Sequence, residues 1–436
     1  MITKEKASGQ FVYQIYLFLI LFTYTDGFGL RGDGMWGGLG NASLGSFGIL
    51  QLVLMAMSLY FMFTSGPLLF IPRTKTSNAV KWFMYLFILI MIELVVQSLF
   101  DVNKLTKFGY LIRLKNWILL FVIPALYKRV SVQGLVNVIK FSGIIASIIV
   151  LFVITQNIEG TAIKTLHGTA VTHALRVMIP TGSLITFAFY LFLSSLKHSR
   201  SVYDIAGLLI CFLATFIQLH RSSTLSLIVV TVAFLLLEYK MNVGKSAIII
   251  VAGVALLGVL FGAVGYSFDT LFEVFSTTRS AVSTGDDAGT SMRFGMIGNA
   301  LTFVISNYVI FGIGLDWIMI EDTDMYNYLK FAETPTADNG FYNIIIVFGV
   351  LGLAIFLIML YRLLTSVWKN KKIVTEEKVF MILNTGICYY LIYNVMVAMG
   401  GDRFFFDVIF PIVIGMILMN EKSMPYILQK EIVKSA

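Results

Sequence analysis

The sequence predicts an all-α, polytopic integral membrane protein: a single transmembrane domain over residues 1–436, with about twelve spanning helices and one large extracytoplasmic loop at 267–339. Three observations predict it. Hydrophobic residues make up 58% of the 436 positions and charged ones only 13%, with a mean hydropathy of +0.86; soluble domains carry about 25% charge. Apolar runs of about 20 residues, the length that crosses a hydrocarbon core, recur along the whole chain. Basic clusters alternate with less basic connections, as the positive-inside rule requires.

Taken in order, the expected spans are 11–25, 47–71, 82–100, 108–127, 135–155, 177–196, 204–220, 224–239, 246–266, 340–364, 378–398 and 404–420. Lys4 and Lys6 precede an apolar run from Phe11, a faint likeness to a signal peptide. No small-residue cleavage site follows, so the run reads as the first span. Arg73/Lys75/Lys81, Lys128/Arg129, Lys197/Arg200, Lys240/Lys245 and Lys369/Lys371/Lys372/Lys378 fall on alternate connections. They mark the cytoplasmic side. An even number of spans returns the chain to its starting side, and Lys422, Lys430 and Lys434 agree. Both termini are therefore expected in the cytoplasm. The net charge of +8 is mostly this inward lysine and is no sign of nucleic-acid binding. Cys211 and Cys388 lie in apolar runs and read as small packing residues, with no disulfide framework and no metal cluster.

Three outward connections stand out. Residues 26–46 are glycine-rich and carry Arg31 and Asp33; 156–176 carry His167, His173 and Arg176; 267–339 is far longer than an ordinary connection, and such loops are often lids or binding elements. Within it, 292–311 is apolar enough for a helix, and its Arg293, Asn299, Ser306 and Asn307 favour a helix lying along the membrane surface. The arginines are distributed against the usual bias. Of 11, seven face outward: Arg31, Arg113, Arg176, Arg221, Arg279, Arg293 and Arg403. Only five of 21 lysines do. Lysine suffices for topology, whereas a planar guanidinium grips two phosphate oxygens at once. The pattern points to an anionic ligand handled outside the cytoplasm.

Four constellations carry chemistry. His220-Arg221-Ser222-Ser223-Thr224 joins two apolar runs almost without a loop. Arg221 there is either a snorkelling helix end with Ser222 as the next cap, or part of a phosphate contact made of guanidinium, hydroxyls and a helix N-terminus; the two readings weigh equally. Arg176, just ahead of Pro180, is an interfacial anchor or an anion contact; His167 and His173 read as polar surface. Arg293 opens the 291–317 stretch, which ends in Phe311-Gly312-Ile313-Gly314. It is either an amphipathic helix on lipid or a ligand-facing segment whose glycines allow close backbone approach. Asp338 and Asn339 precede an apolar run. Each serves as an N-cap, and a carboxylate at the mouth of a membrane cavity also takes a proton from a hydroxyl nucleophile.

Together these elements resemble the bacterial O-antigen ligases and the O-antigen or capsule repeat-unit polymerases. Asp338-Asn339, then Gly349 and Gly352, is similar to that family's polar-Asn…Gly-x-x-Gly signature. Arg293 leading to Phe311-Gly312-Ile313-Gly314 is similar to its arginine-to-glycine-turn segment, with Ile310 where proline is common. Arg221-Ser222 resembles its turn between two spans, and Arg176 an earlier outward arginine. The resemblance implies a GT-C-like helical fold and an extracytoplasmic, metal-independent glycosyltransferase. Its implied partners are undecaprenyl-diphosphate-linked oligosaccharides as donor and acceptor, membrane lipids and a chain-length regulator protein, with no cofactor. Ligases generally carry His where Asp338 stands, which tilts the resemblance toward the polymerase branch, with the ligase as alternative. Asp338 is then the expected base, Arg176 and Arg221 the catalytic arginines. Arg293, Ser222, Asn339, Arg31 and Arg403 are the expected diphosphate or substrate contacts. Aromatics near the outer face (Phe28, Trp36, Trp317, Tyr326, Tyr328, Tyr342) read as ordinary interfacial residues. The competing class is a flippase or carrier. It would use Glu93, the clearest acidic residue inside a span, with Gly143, Gly182 and Gly253 as modest helix breakers.

Overall fold

The computed structural model describes residues 7–23, 43–44, 47–65, 67, 74–100, 115–155, 182–199, 201–217, 221–246, 248, 251–253, 255, 258, 302, 305–306, 308–312, 314, 340–372, 378–398 and 407–435. Among them the protein is helical, apart from a hairpin of two-residue strands, β1 (Ser43–Leu44) and β2 (Phe47–Gly48), paired antiparallel. The helices are α1 (Ala7–Thr23), α2 (Ile49–Ser65), α3 (Lys75–Phe100), α4 (Leu119–Arg129, entered through a 3-10 turn at Lys115–Ile118), α5 (Val132–Thr155) and α6 (Gly182–Leu196). There follow α7 (Val202–Ile217), α8 (Arg221–Glu238), α9 (Gly340–Lys372), α10 (Lys378–Ala398) and α11 (Ile409–Ser435). Four described segments are long and apolar enough to cross a membrane: Lys75–Glu93, Val132–Phe152, Gly340–Lys371 and Lys378–Ala398.

Each helix falls on an expected apolar run, with several shifts of boundary. α3 starts at Lys75, seven residues ahead of the expected 82. α4 follows the 3-10 turn at Lys115–Ile118, and residues 108–114 of the expected span lie outside the described ones. α11 starts at Ile409 and runs to Ser435 instead of ending at 420, because Glu, Lys and Gln beyond Asn420 are good helix formers. α9 runs past 364 to Lys372. The expected span 246–266 is described only in part, at positions up to 258.

The core is built around α6, every described side chain of which is buried from Gly182 to Ser195. Small residues let its neighbours close on it. A β-carbon on Gly143 of α5 would collide with that of Ala188, and one on Gly386 of α10 would lie 2.7 Å from Leu191 Cδ2. Water supplies no drive between helices in a bilayer, so such close backbone approach is what gains dispersion energy there. Gly143 is thus a packing glycine inside a continuous helix, and Gly182 is the first described residue of α6. A second cluster, all aromatic, ties α3 to α9 and α11: Phe83 meets Phe348, Phe356 and Trp117 with ring centroids at 5.7, 5.4 and 5.4 Å, and Trp117 meets Phe410 at 6.1 Å.

A set of polar bonds gathers at one end of the bundle and fixes the direction of the helices that make them. Gln10 of α1 donates to Ser131 between α4 and α5 at 3.2 Å. Thr74 and Thr76, at the start of α3, donate to the Glu421 carboxylate of α11 at 2.8 and 2.7 Å. Tyr127, near the end of α4, donates to Asn420 at 2.9 Å. Lys140 of α5 pairs with Asp204 in the first turn of α7 at 2.8 Å and donates to Ser195 near the end of α6. Glu238, the last residue of α8, accepts from Lys197 and from Tyr389, each at 2.8 Å, and pairs with Lys371 near the end of α9. The end of α8 and the end of α9 therefore share the lysine-rich face, and the starts of both, at Arg221 and Gly340, lie toward the other.

The Lys140–Asp204 pair is almost fully buried, at 7% side-chain exposure for both partners. Removing one partner of a buried pair strands a charge and costs about 3–5 kcal/mol, whereas replacing both by apolar residues is often neutral. Asp204→Ala is expected to lower the melting temperature of the detergent-solubilised protein sharply. The double variant Lys140→Met/Asp204→Leu is expected to recover most of the loss.

Candidate active site

The site is built on a broken helix. The apolar run of α9 continues through Gly349, yet the backbone there leaves the helix, at φ 67 and ψ −168. A break in a span exposes amides and carbonyls that lipid does not satisfy. Here a turn from the large loop satisfies them. Val350 N donates to Val309 O at 2.9 Å, Leu351 N to Ile310 O at 3.2 Å, and Gly314 N to Val347 O at 3.1 Å; Gly312 N closes the turn on Tyr308 O at 2.8 Å. The two chains meet glycine to glycine. Gly312 and Gly314 hold φ of 71 and 65, which non-glycine residues adopt only at a cost. A β-carbon on Gly312 would sit 2.5 Å from Gly349 N and 2.6 Å from Ile346 O.

Two of the four sequence constellations thus come together, and the close backbone approach expected of Phe311-Gly312-Ile313-Gly314 is made to α9. Residues Thr302, Ile305 and Ser306 ahead of the turn are helical, and Ile305, Ile310 and Phe311 are exposed, at 55, 57 and 60%, the apolar surface expected of a segment that meets lipid. Gly349 is the breaker that sequence reading missed.

Gly340 is the first described residue of α9, nine residues before the break. α8 begins at Arg221, one residue earlier than the expected cap at Ser222. Ser222 therefore lies in the first turn, half-buried, with Ser223, Thr224 and Ser226 buried behind it. On α11, Asp407 caps the helix: its Oδ1 accepts from Ile409 N at 2.8 Å and its Oδ2 from the Tyr390 hydroxyl at 3.0 Å. Sequence reading placed Asp407 inside a span that began at 404. The acidic residue just ahead of Ile409 was the signal for a cap instead. Glu93, read from sequence only as a carrier feature, lies on α3 beside the turn. The position of a β-carbon on Gly314 is 3.3 Å from Glu93 Oε2. Asp338, Asn339, Arg31, Arg176, Arg293 and Arg403 lie outside the described residues, as do His167 and His173, and the side chain of Arg221 is not described.

Residues 206–357 match a family model described as O-antigen ligase. The match covers about a third of the 436-residue chain. It takes in Arg221, Arg293, the 308–314 turn, Asp338 and the break at Gly349, and leaves out Arg176 and Glu93. It agrees with the resemblance to the polymerase and ligase superfamily carried by these same motifs. No curated protein matches the chain.

Proposed function

We propose that the protein polymerises undecaprenyl-diphosphate-linked oligosaccharide repeat units into O-antigen, capsule or exopolysaccharide, on the extracytoplasmic side of the cytoplasmic membrane. The single observation that carries this is the junction at Gly349. Within the stretch matched by the O-antigen ligase model, the two glycine motifs interlock nine residues into α9, counted from Gly340. Arg221 opens a second helix whose start lies toward the same end. The lysine-rich face opposite is the cytoplasmic one by the positive-inside rule, which puts this end outside.

In this reading the leaving group is a lipid diphosphate, whose negative charge grows as the glycosidic bond breaks. Arg176, Arg221 and Arg293 clamp it, with Ser222 in the first turn of α8 adding a hydroxyl. Fixed positive groups aimed at developing charge usually supply most of the rate enhancement in a site of this kind. Asp338 takes the proton from the acceptor hydroxyl, and Asn339 contacts the substrate beside it. Arg31 and Arg403 extend the positive rim, and a chain-length regulator is the expected protein partner. Asp338, where ligases generally carry His, favours polymerisation over transfer of finished glycan to lipid A core.

A broken helix beside an acidic residue also belongs to the repertoire of transporters. Transporters leave the unwound backbone open to coordinate their cargo. At Gly349 the turn's own amides and carbonyls occupy it, which favours a fixed scaffold over alternating access. A strain lacking the gene separates the readings. A polymerase leaves single repeat units on their lipid; unligated long polymer indicates a ligase, and glycan trapped on the cytoplasmic side a flippase. Arg221→Ala is expected to reproduce the single-unit phenotype with normal protein level. Arg221→Lys is expected to fail as well, because a point charge does not reproduce a two-point grip.

A further inference from the structure

We propose that the lysine-rich end of the bundle holds the phosphate headgroup of an anionic phospholipid, gripped by Arg129 in the crevice between α1, α2 and α4. This site is separate from the polymerase site above and does not depend on it. α4 ends at Arg129 and α1 begins at Ala7. Both present these ends to the lysine-rich face, where Gln10 bonds Ser131. The Arg129 guanidinium lies over the Tyr13 ring of α1 at 4.9 Å and over the Phe61 ring near the end of α2 at 5.6 Å, measured to the ring centroids. The two rings meet each other at 6.0 Å.

An arginine that only sets topology snorkels outward and keeps its charge in water. Arg129 is turned inward. It is half-buried, its Nη1 is buried, and no described group accepts from that nitrogen. No carboxylate pairs with it among the described residues, whereas Lys140, Lys197 and Lys371 each have one. A guanidinium carries five N–H donors, and burying part of it without an acceptor is costly. The rings stabilise its charge but do not accept a fork of hydrogen bonds. That fork fits an anion with two oxygens side by side, which the phosphodiester of a lipid supplies.

A second donor stands close by. Ser131 caps α5, its Oγ accepting from Gly134 N at 3.1 Å and from Gln10 Nε2 at 3.2 Å. A β-carbon on Gly134 would lie 2.7 Å from Gln14 Nε2 and 2.9 Å from Val130 Cγ1. The glycine thus lets the half-buried Gln14 amide close on the start of α5, beside the residue that follows Arg129. The flanks favour a lipid over a free phosphate. Phe11, Val12 and Ile15 of α1, and Tyr60 and Phe63 of α2, are exposed, and acyl chains lie against them once the phosphate is seated. Basic pockets between helices at the cytoplasmic leaflet are where anionic headgroups bind. A lipid held there fastens α1 to α2 and α4.

The test places the purified full chain in phosphatidylcholine nanodiscs with a rising fraction of phosphatidylglycerol. A second series adds inorganic phosphate to phosphatidylcholine alone. The unsubstituted protein is expected to melt higher as phosphatidylglycerol rises, and to retain one molecule of it in native mass spectrometry. Arg129→Met keeps the aliphatic stem. It is expected to weaken that retention about 10- to 100-fold, the loss of a hydrogen bond to a charged group, and to lose the lipid-dependent gain in melting temperature. Gln14→Leu is expected to weaken retention in the same direction, and it serves alone if Arg129→Met does not fold. Lys245→Met, at an exposed lysine of the same face, is the control and is expected to keep both properties. Unchanged retention in Arg129→Met, or in Gln14→Leu where it serves alone, would overturn the proposal. So would an equal loss in Lys245→Met, which would reduce the effect to bulk surface charge. A rise in melting temperature with inorganic phosphate alone would overturn the lipid as occupant. None of these readouts uses polymerisation, so they stand or fall apart from the function proposed above.

Discussion

Gly349→Ala is expected to abolish long-chain polysaccharide and to reduce the amount of folded protein in the membrane. Three costs coincide at this position. The backbone at φ 67, ψ −168 lies in a region essentially restricted to glycine, worth about 1–3 kcal/mol when another residue is forced into it. The added β-carbon would lie 2.5 Å from Gly312 N, so the turn must withdraw. Withdrawal breaks the bonds from Val350 N to Val309 O and from Leu351 N to Ile310 O, at about 1 kcal/mol each or more where no water replaces them. The sum is on the order of 5 kcal/mol, comparable to the whole stability of many proteins. Thermal unfolding in detergent and membrane protein level measure it. Gly244→Ala is the control. Its β-carbon would meet only Asn242 Oδ1 at 3.9 Å, and it is expected to behave like the unsubstituted protein. Normal polymer from Gly349→Ala would show that the break has no part in the site.

Asp338→Ala is expected to cut polymerisation by about 10²–10⁴-fold, the usual worth of a positioned general base, with protein level unchanged. The informative companion is Asp338→Asn. Asparagine caps a helix as well as aspartate does but does not accept a proton at neutral pH. If Asp338 is the base, both variants fail alike. If it only caps, Asp338→Asn keeps full activity and Asp338→Ala loses about 1 kcal/mol of stability. Band lengths on a polysaccharide gel separate the two.

Apolar run length located the helices, because a bilayer imposes one length on every span. Run length is silent on what happens inside a run. The stretch Ile344–Leu353 reads as one continuous apolar segment, and a glycine within it is ordinary. The break at Gly349 is visible only in the bonds that the turn 308–314, distant in sequence, makes to it. The resemblance pairs those two motifs by order, and the structure supplies the reason they occur together: each provides the glycine the other needs. Charge patterning found the lysine-rich end and missed its fastening, since nothing in the sequence joins Glu238 to both Lys197 and Lys371. Glu93 was legible as an acid in a span; its neighbour Gly314 lies more than two hundred residues away. Asp407 was hidden by a span boundary set a turn too early, where Phe404–Phe406 extended the apolar run.

The most direct test is polymerisation by the purified protein. Reconstituted in proteoliposomes with the lipid-linked repeat unit alone, and with no second enzyme, it is expected to yield a ladder of products each longer by one repeat and each still on its lipid, and Arg221→Ala is expected to yield none. A repeat unit that stays single with the unsubstituted protein, or that is moved only onto lipid A core, would contradict the assignment of this helical bundle as a repeat-unit polymerase.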